Sequence, residues 1–276
     1  MADVTRTLVI DTSYGSAGGI VGREPIIEAD SRTHVERLQG NIARAVADAG
    51  LQPRDLDTVV VGIGPAPNTG LRAGIVAAKT IAYATGATLI GQDILAPQHE
   101  LAARLRDASI AAPVGIPAFQ PLQEGDIRLT LAVNDARRRQ LYCALYADAS
   151  DTAPGMRPLI DMDIDYPDHI AERVNAVVAR LRGARPERRV LVDIIGHGAG
   201  KYAASWAGID AVGMVADATP FDFGADGLAL FARHAAAHRD DGHGRTVEPL
   251  YLRRPDVSVP KPLKQVLHHG GAERNA

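Results

Sequence analysis

Several side chains in this sequence are of types that do chemistry, and their spacing decides which chemistry is open to them. Asp11, followed by Thr12 and Ser13, ends the apolar run Thr7-Leu8-Val9-Ile10. An acid at a strand end before a small-residue turn can orient metal or water beside a phosphate, or can bond the turn's own backbone. Gly196-His197-Gly198-Ala199-Gly200-Lys201 suggests a phosphate cradle, but the spacing fails. The first glycine would have to stand at Ile195, and Tyr202 replaces the required Ser or Thr. The segment reads as a strand-to-helix turn. His234 and His238 are four apart on a helical segment, yet a zinc site needs a third ligand, for which His243 or Asp240 are no more than possibilities. Solvent-facing histidines are expected there, and no metal site is assigned. Cys143, the only cysteine, falls in an apolar alternation and reads as a packed core thiol. With no Gly-x-Ser-x-Gly elbow either, no residue is assigned a catalytic role.

The elements that must position these groups follow from the hydrophobic pattern. Thr7 to Ile10 predicts a central strand covered on both faces, with short strands at Gly19-Ile20-Val21 and Pro25-Ile26-Ile27 after the turn. Val35, Leu38, Ile42, Ala45 and Ala49 recur at helical spacing, with Ser31 or Thr33 as cap and Glu36 as capping-box partner. A strand at Thr58 to Ile63 leads through the stiff loop Gly62–Gly70 into a helix from Leu71 to about Thr85, whose Ala73, Gly74, Ala77, Ala78 and Ala82 are small. A strand at Ala87 to Ile90 and a helix at Ile94 to Arg106 complete a first lobe over residues 1–110.

Residues 111–126, with Pro113, Pro117 and Pro121, predict a connection, and residues 127–252 a second lobe. Ile127 to Val133 and Leu141 to Leu145 alternate as a hairpin with one buried face, turning at Asn134-Asp135-Ala136-Arg137. A helix near His169 to Leu181, a strand Val190 to Ile195 and a helix near Gly224 to Ala237 follow, echoing the first half in part. Residues 253–276 read as a flexible tail.

Composition excludes some roles. Aromatics are 4% of residues and the net charge is −3, so neither extended base-stacking platforms nor long-range attraction to a phosphate backbone is expected. If the chain serves RNA, another subunit is expected to grip it. No stretch approaches the roughly 20 apolar residues that span a bilayer, and the start carries no signal-peptide core. A cytoplasmic protein is the expectation.

Five separated segments carry a family resemblance: Thr7–Ser13; Thr33-His34-Val35-Glu36-Arg37-Leu38; Gly64-Pro65-Ala66-Pro67-Asn68-Thr69-Gly70-Leu71-Arg72-Ala73-Gly74; Asn134–Tyr142; and Val247-Glu248-Pro249-Leu250-Tyr251-Leu252-Arg253. In this order they resemble the TsaB (YeaZ-type) family across most of residues 5–255. The family's loop is usually glycine-proline-glycine-serine-phenylalanine-threonine-glycine; here Ala66, Pro67 and Asn68 fill its middle, which stiffens it. The resemblance implies an α/β, two-lobed actin-like ATPase or ribonuclease-H-like fold with a shortened second lobe. It implies a non-catalytic relative of TsaD that pairs with TsaD in tRNA threonylcarbamoyladenosine biosynthesis, joined by the ATPase TsaE. A homodimer through the same surface is also implied. On that reading ATP and metal belong to the partner subunits, this chain alone binds no cofactor, and tRNA is contacted only indirectly.

Pairing through first-lobe helices puts the docking residues at Val35, Leu38, Ile42 and Ala45 on one helix and Leu71, Gly74, Ala78 and Ala82 on the next. Both helices must also cover their own sheet. Asp11, Thr12 and Ser13 occupy the place where this superfold approaches nucleotide. The alternative is a small-molecule kinase or other ATP-dependent phosphotransferase of the same superfold, which needs a second-lobe acid. Asp193, in the predicted strand Val190 to Ile195, is the best available.

Overall fold

A computed structural model describes residues 6–30, 33–117, 119, 123, 125–148, 158–238 and 247–252. Two five-stranded sheets organise the described chain. The first, in the order β3-β2-β1-β4-β5, contains β1 (Thr7–Asp11), β2 (Ser16–Ile20), β3 (Ile26–Glu28), β4 (Thr58–Gly62) and β5 (Thr88–Gln92). The second, in the order β10-β9-β6-β7-β8, contains β6 (Ile127–Asp135), β7 (Leu141–Ala147), β8 (Ile160–Asp165), β9 (Val190–Ile195) and β10 (Val212–Ala216).

Read from β8 to β10, the second sheet repeats the first strand for strand. Each has an antiparallel three-stranded part continued by two parallel strands. The echo is therefore complete in the sheets, although β8 and β10 carry no clean sequence alternation. The shortening of the second lobe lies in its helices. The crossover after β4 is α2 (Asn68–Thr85), while its counterpart after β9 is α5 (Ala203–Trp206), a single turn.

The apolar run of β1 reflects burial on both sides. Leu8 and Ile10 face α1 (His34–Asp48) and α2, packing with Leu38, Ile42, Val46, Leu71, Ile75 and Ala78. Val9 faces the other way, toward Phe221 and Leu228, Phe231 and Ala235 of α6 (Gly224–Ala237). Full burial of each such side chain is worth about 1.5–3 kcal/mol, so both layers matter to stability. The fourth helix, α4 (Pro167–Ala184), lays Ile170, Val174 and Val177 on the outer face of the second sheet.

Sequence order and packing part company at two helices. The helix α3 (Ala96–Arg106) precedes the connection, yet packs on β6 and β9 of the second sheet. Conversely, α6 comes from the second half and covers β1 and β5 of the first. Each sheet thus takes a helix from the other half of the chain.

Several local expectations change. The hairpin β6–β7 was expected to bury one face, but all sixteen of its strand residues are buried. The polar positions in its alternation, Arg128 and Thr130, face a buried polar layer under α3 rather than water. There Arg106 donates to Asp193 at 2.8 Å and to Asp148 at 2.5 Å, and His99 Nδ1 lies 3.0 Å from Thr130 Oγ1. The turn runs from Ala136 to Gln140, later than expected. Thr33 makes no side-chain cap bond, so the capping box is not formed; Ser31 lies outside the described residues. The α2 helix begins at Asn68, three residues early, and β2 starts at Ser16 because ladder pairing from Asp11–Ala17 to Leu8–Ile20 draws its glycines into extended structure.

Among the described residues no helix is long and apolar enough to cross a membrane. The tail from Arg253 onward lies outside the described residues.

Candidate functional site

Two places carry the functional expectations: the outer face of α1 and α2, and the cleft between the sheets. On the helices, seven of the eight expected docking residues turn inward. Leu38, Ile42, Ala45, Leu71, Gly74, Ala78 and Ala82 are all buried against their own lobe. Only Val35 is exposed, at 37%. The small-residue stripe of α2 serves the chain itself: a Cβ on Gly74 would come within 2.3 Å of Thr12 Oγ1, so glycine is what lets α2 close onto β1. The open surface is made by other residues. Val76 is 61% exposed and Tyr83 94% exposed on α2, and Gly40, Ala43 and Ala47 are exposed on α1. Large apolar groups on α2 beside small ones on a neighbouring helix make an unpartnered apolar face suited to another helix pair. A heptad count of the sequence missed it because it picks the most hydrophobic stripe, and the lobe's own sheet claims that one first.

Beside this face, residues 247–252 lie along the lobe. Leu250 N donates to Ile63 O at 2.8 Å, while Glu248 pairs with Lys79 at 2.7 Å. Arg72 Nε donates to Tyr251 Oη at 2.5 Å, with its guanidinium 5.4 Å from the ring centre. The C-terminal signature therefore brackets Val76 between two tethered cations.

The cleft takes Asp11, Ser13 and Tyr14 from the first lobe, Gln98 from α3, Asn134 from β6, and His197 and Asp222 from the second half. It holds about 450 Å³ counted to its open mouth. Asp11 Oδ2 accepts from Ser13 N at 3.2 Å and from Ser13 Oγ at 2.5 Å, the turn-bonding arrangement weighed from the sequence. Its Oδ1 has no partner and faces Gly62, where a Cβ would fall 2.0 Å away. Burial pushes the Asp11 carboxyl above its ordinary range, the Ser13 hydrogen bonds opposing this only in part. Of the three expected nucleotide residues, Asp11 and Ser13 line the cleft, while the Thr12 hydroxyl points at Gly74 behind it.

The remaining candidates are placed as follows. Asp193 is fully buried in the second-lobe core, held by Arg106 and by Met214 N at 2.9 Å, and does not line the cleft. The phosphotransferase alternative thus lacks the acid it named. Gly196–Lys201 forms the turn after β9, and Lys201 pairs with Asp135 at 2.9 Å. His234 is not solvent-facing: it is buried, with Nδ1 2.8 Å from Glu100 Oε2, and the carboxyl of Glu100 is held below its ordinary range by that bond against the opposing effect of burial. His238 is exposed and donates from Nδ1 to His234 O at 2.8 Å. His243 and Asp240 lie outside the described residues. Cys143 is buried and its thiol is pushed up to about 12 by desolvation, as a core thiol should be.

Comparison with known proteins supplies the kinship. A family model described as TsaD, tRNA N6-adenosine threonylcarbamoyltransferase, matches residues 6–119. An uncharacterised protein of Mycobacterium tuberculosis (strain ATCC 25618 / H37Rv) is 36% identical over 168 residues, covering 58% of this chain and 68% of that one. A tRNA N6-adenosine threonylcarbamoyltransferase of Ruegeria pomeroyi is 40% identical over 100 residues, 36% of this chain but 26% of the enzyme. The chain therefore spans about a quarter of that transferase. Among solved structures, an uncharacterised protein with similarity to peptidase YEAZ, from Pseudomonas aeruginosa, superposes with a TM-score of 0.57 at 21% identity, covering 90% of this chain and 99% of that one. YeaZ from the same organism gives 0.53 at 21% identity, over 89% and 99%. The two-lobed α/β fold is shared along nearly the whole of both chains.

Proposed function

We propose that this chain is a member of the TsaB (YeaZ-type) family of TsaD relatives and a non-catalytic partner of TsaD in tRNA N6-threonylcarbamoyladenosine biosynthesis. It docks on TsaD through α1 and α2, supports transfer of threonylcarbamoyl by that subunit to the adenosine beside the anticodon, and works with the ATPase TsaE. The observation that carries this reading is the exposure of Val76 and Tyr83 on α2, with the small residues Gly40, Ala43 and Ala47 exposed on α1. The matched segment 6–119 spans both helices, so this chain and TsaD carry related surfaces that can pair pseudo-symmetrically. The non-catalytic part is supported by the cleft. Asp11 is spent on bonding its own turn through Ser13, and the best second-lobe acid is locked in a core ion network.

The test is co-purification of the full chain with TsaD and TsaE, with and without ATP. Val76→Arg with Tyr83→Asp should leave the chain folded, since both side chains are exposed, and should reduce TsaD capture at least tenfold, as expected when charge enters the centre of an apolar interface. Capture that survives the double substitution, or turnover of ATP on a small molecule by the isolated chain, would refute the proposal.

A further inference from the structure

The open side of α2 carries Arg72, Val76, Lys79 and Tyr83, all exposed and spaced four, three and four residues apart. That spacing keeps to one line along a helix, so Lys79 neighbours both Val76 and Tyr83. On α1 the exposed residues Glu36, Gly40, Ala43 and Ala47 keep the same spacing. Two cations therefore stand in the α2 row with the two large apolar groups that the docking role needs.

Both cations are met by one short segment from far along the chain. Glu248 Oε1 accepts from Lys79 Nζ at 2.7 Å, and Tyr251 Oη accepts from Arg72 Nε at 2.5 Å, with the guanidinium 5.4 Å from the ring centre. The later residue of the segment meets the earlier residue of the helix, so the two run antiparallel. The segment is anchored from beneath. Leu250 N donates to Ile63 O at 2.8 Å, and Val247 and Leu250 pack on the core that holds Leu71 and Ile75. Apolar side chains thus fix residues 247–252 on the lobe while Glu248 and Tyr251 reach α2.

For folding alone the ion pair does little. The Lys79 and Glu248 side chains are 43% and 64% exposed, and pairs that open to water barely stabilise a fold. Its worth changes once another surface covers α2. A lysine covered without a counter-charge carries the whole cost of its desolvation, whereas a paired one has much of that cost offset.

We propose that residues 247–252 complete the docking surface for TsaD, Glu248 supplying the counter-charge that Lys79 needs when the partner's helices cover Val76 and Tyr83, and Tyr251 engaging Arg72 in the same way. The inference rests on the docking reading above and adds to it residues outside the two helices. The occupant that fits is a helix pair related to α1 and α2, which the match to TsaD over residues 6–119 places in that family. An anionic partner fits less well, because both cations of the row are already engaged within the chain.

Titrated capture of TsaD by the full chain tests this as a double-mutant cycle. Glu248→Gln should weaken capture about tenfold, as expected when a covered charge loses its partner, and should leave the urea midpoint in place. Lys79→Met should bind about as well as the native chain. Lys79→Met combined with Glu248→Gln should recover that affinity, because the charge that needed a partner is gone. A merely structural pair would move the midpoint instead and would show no such rescue. Full-strength capture by Glu248→Gln would overturn the proposal, and so would a double variant as weak as Glu248→Gln alone or a Lys79→Met variant equally weak. Should Val76→Arg with Tyr83→Asp leave capture intact, the docking role itself falls. If that pair abolishes capture while Glu248→Gln does nothing, only the part given to residues 247–252 falls.

Discussion

Asp11 ends a strand whose neighbours exclude water, and its two oxygens meet different surroundings: one accepts both Ser13 bonds, the other faces the bare backbone of Gly62. Desolvation exceeds those bonds, so the folded-state pKa lies above the ordinary value of 3.8. For an acid whose pKa is raised by folding, the favourable contribution to stability is fully present below the unfolded value and is lost as pH rises through the folded one. Asp11→Asn keeps an acceptor for Ser13 and removes the charge. We expect it to match the native protein below pH 4, where the carboxyl is protonated, and to be the more stable of the two at pH 8. Thermal melts across that range check it. A variant destabilised throughout would show that the carboxylate has a stabilising partner. Residue type and position named Asp11 from the sequence; the direction of its titration could not be read there, because it depends on Gly62 and on packing from remote segments.

At the scale of the element, α1 and α2 show how amphipathic helices divide their faces. The periodicity of Leu38, Ile42 and Ala45 correctly announced a helix with an apolar stripe, and the small residues of α2 announced a close approach. The approach is to Thr12 of their own lobe. It follows that Leu38→Glu tests the core rather than docking. At 4% exposure it buries a charge with no partner, and we expect a loss of at least about 3 kcal/mol of stability, seen as a collapsed urea midpoint. Val76→Arg on the outer face should change stability by no more than about 0.5 kcal/mol and leave that midpoint nearly in place. Equal effects of the two would mean that the inner and outer faces are misassigned. The hairpin teaches the same lesson from the polar side: Arg128 and Thr130 alternate as if toward water, but α3 brings Arg106 and His99 to meet them.

For the molecule as a whole, the exchange of α3 and α6 between the sheets couples the two halves. Phe231 of α6 belongs by sequence to the second half and packs with Val9, Val60 and Ile90 of the first sheet. Trp206, the only tryptophan, is buried in the second-lobe core with Nε1 donating to Ala199 O at 2.7 Å, so its fluorescence reports that half. Phe231→Ala should cost about 3–5 kcal/mol and lower the Trp206 transition together with the far-ultraviolet circular dichroism transition, because neither sheet keeps its covering layer alone. A tryptophan signal that stays at its native midpoint while dichroism falls would show that the halves unfold independently.

The sequence alone determined the local and the inherited: the strands and helices of the first lobe, the β6–β7 hairpin with α4, β9 and α6, the two-lobed class, the resemblance to the TsaB family, the core nature of Cys143 and the spacing that departs from a phosphate loop at the glycine-rich turn. These depend on periodicity, on spacing, and on motifs that sit within one segment. Only the tertiary structure decided which face of α1 and α2 is open, that Asp193 and His234 are buried with partners, that the second sheet repeats the first, and that Tyr14 and His197 line one cleft. Each of those depends on which remote surface excludes water from a side chain first, and linear spacing does not encode that competition.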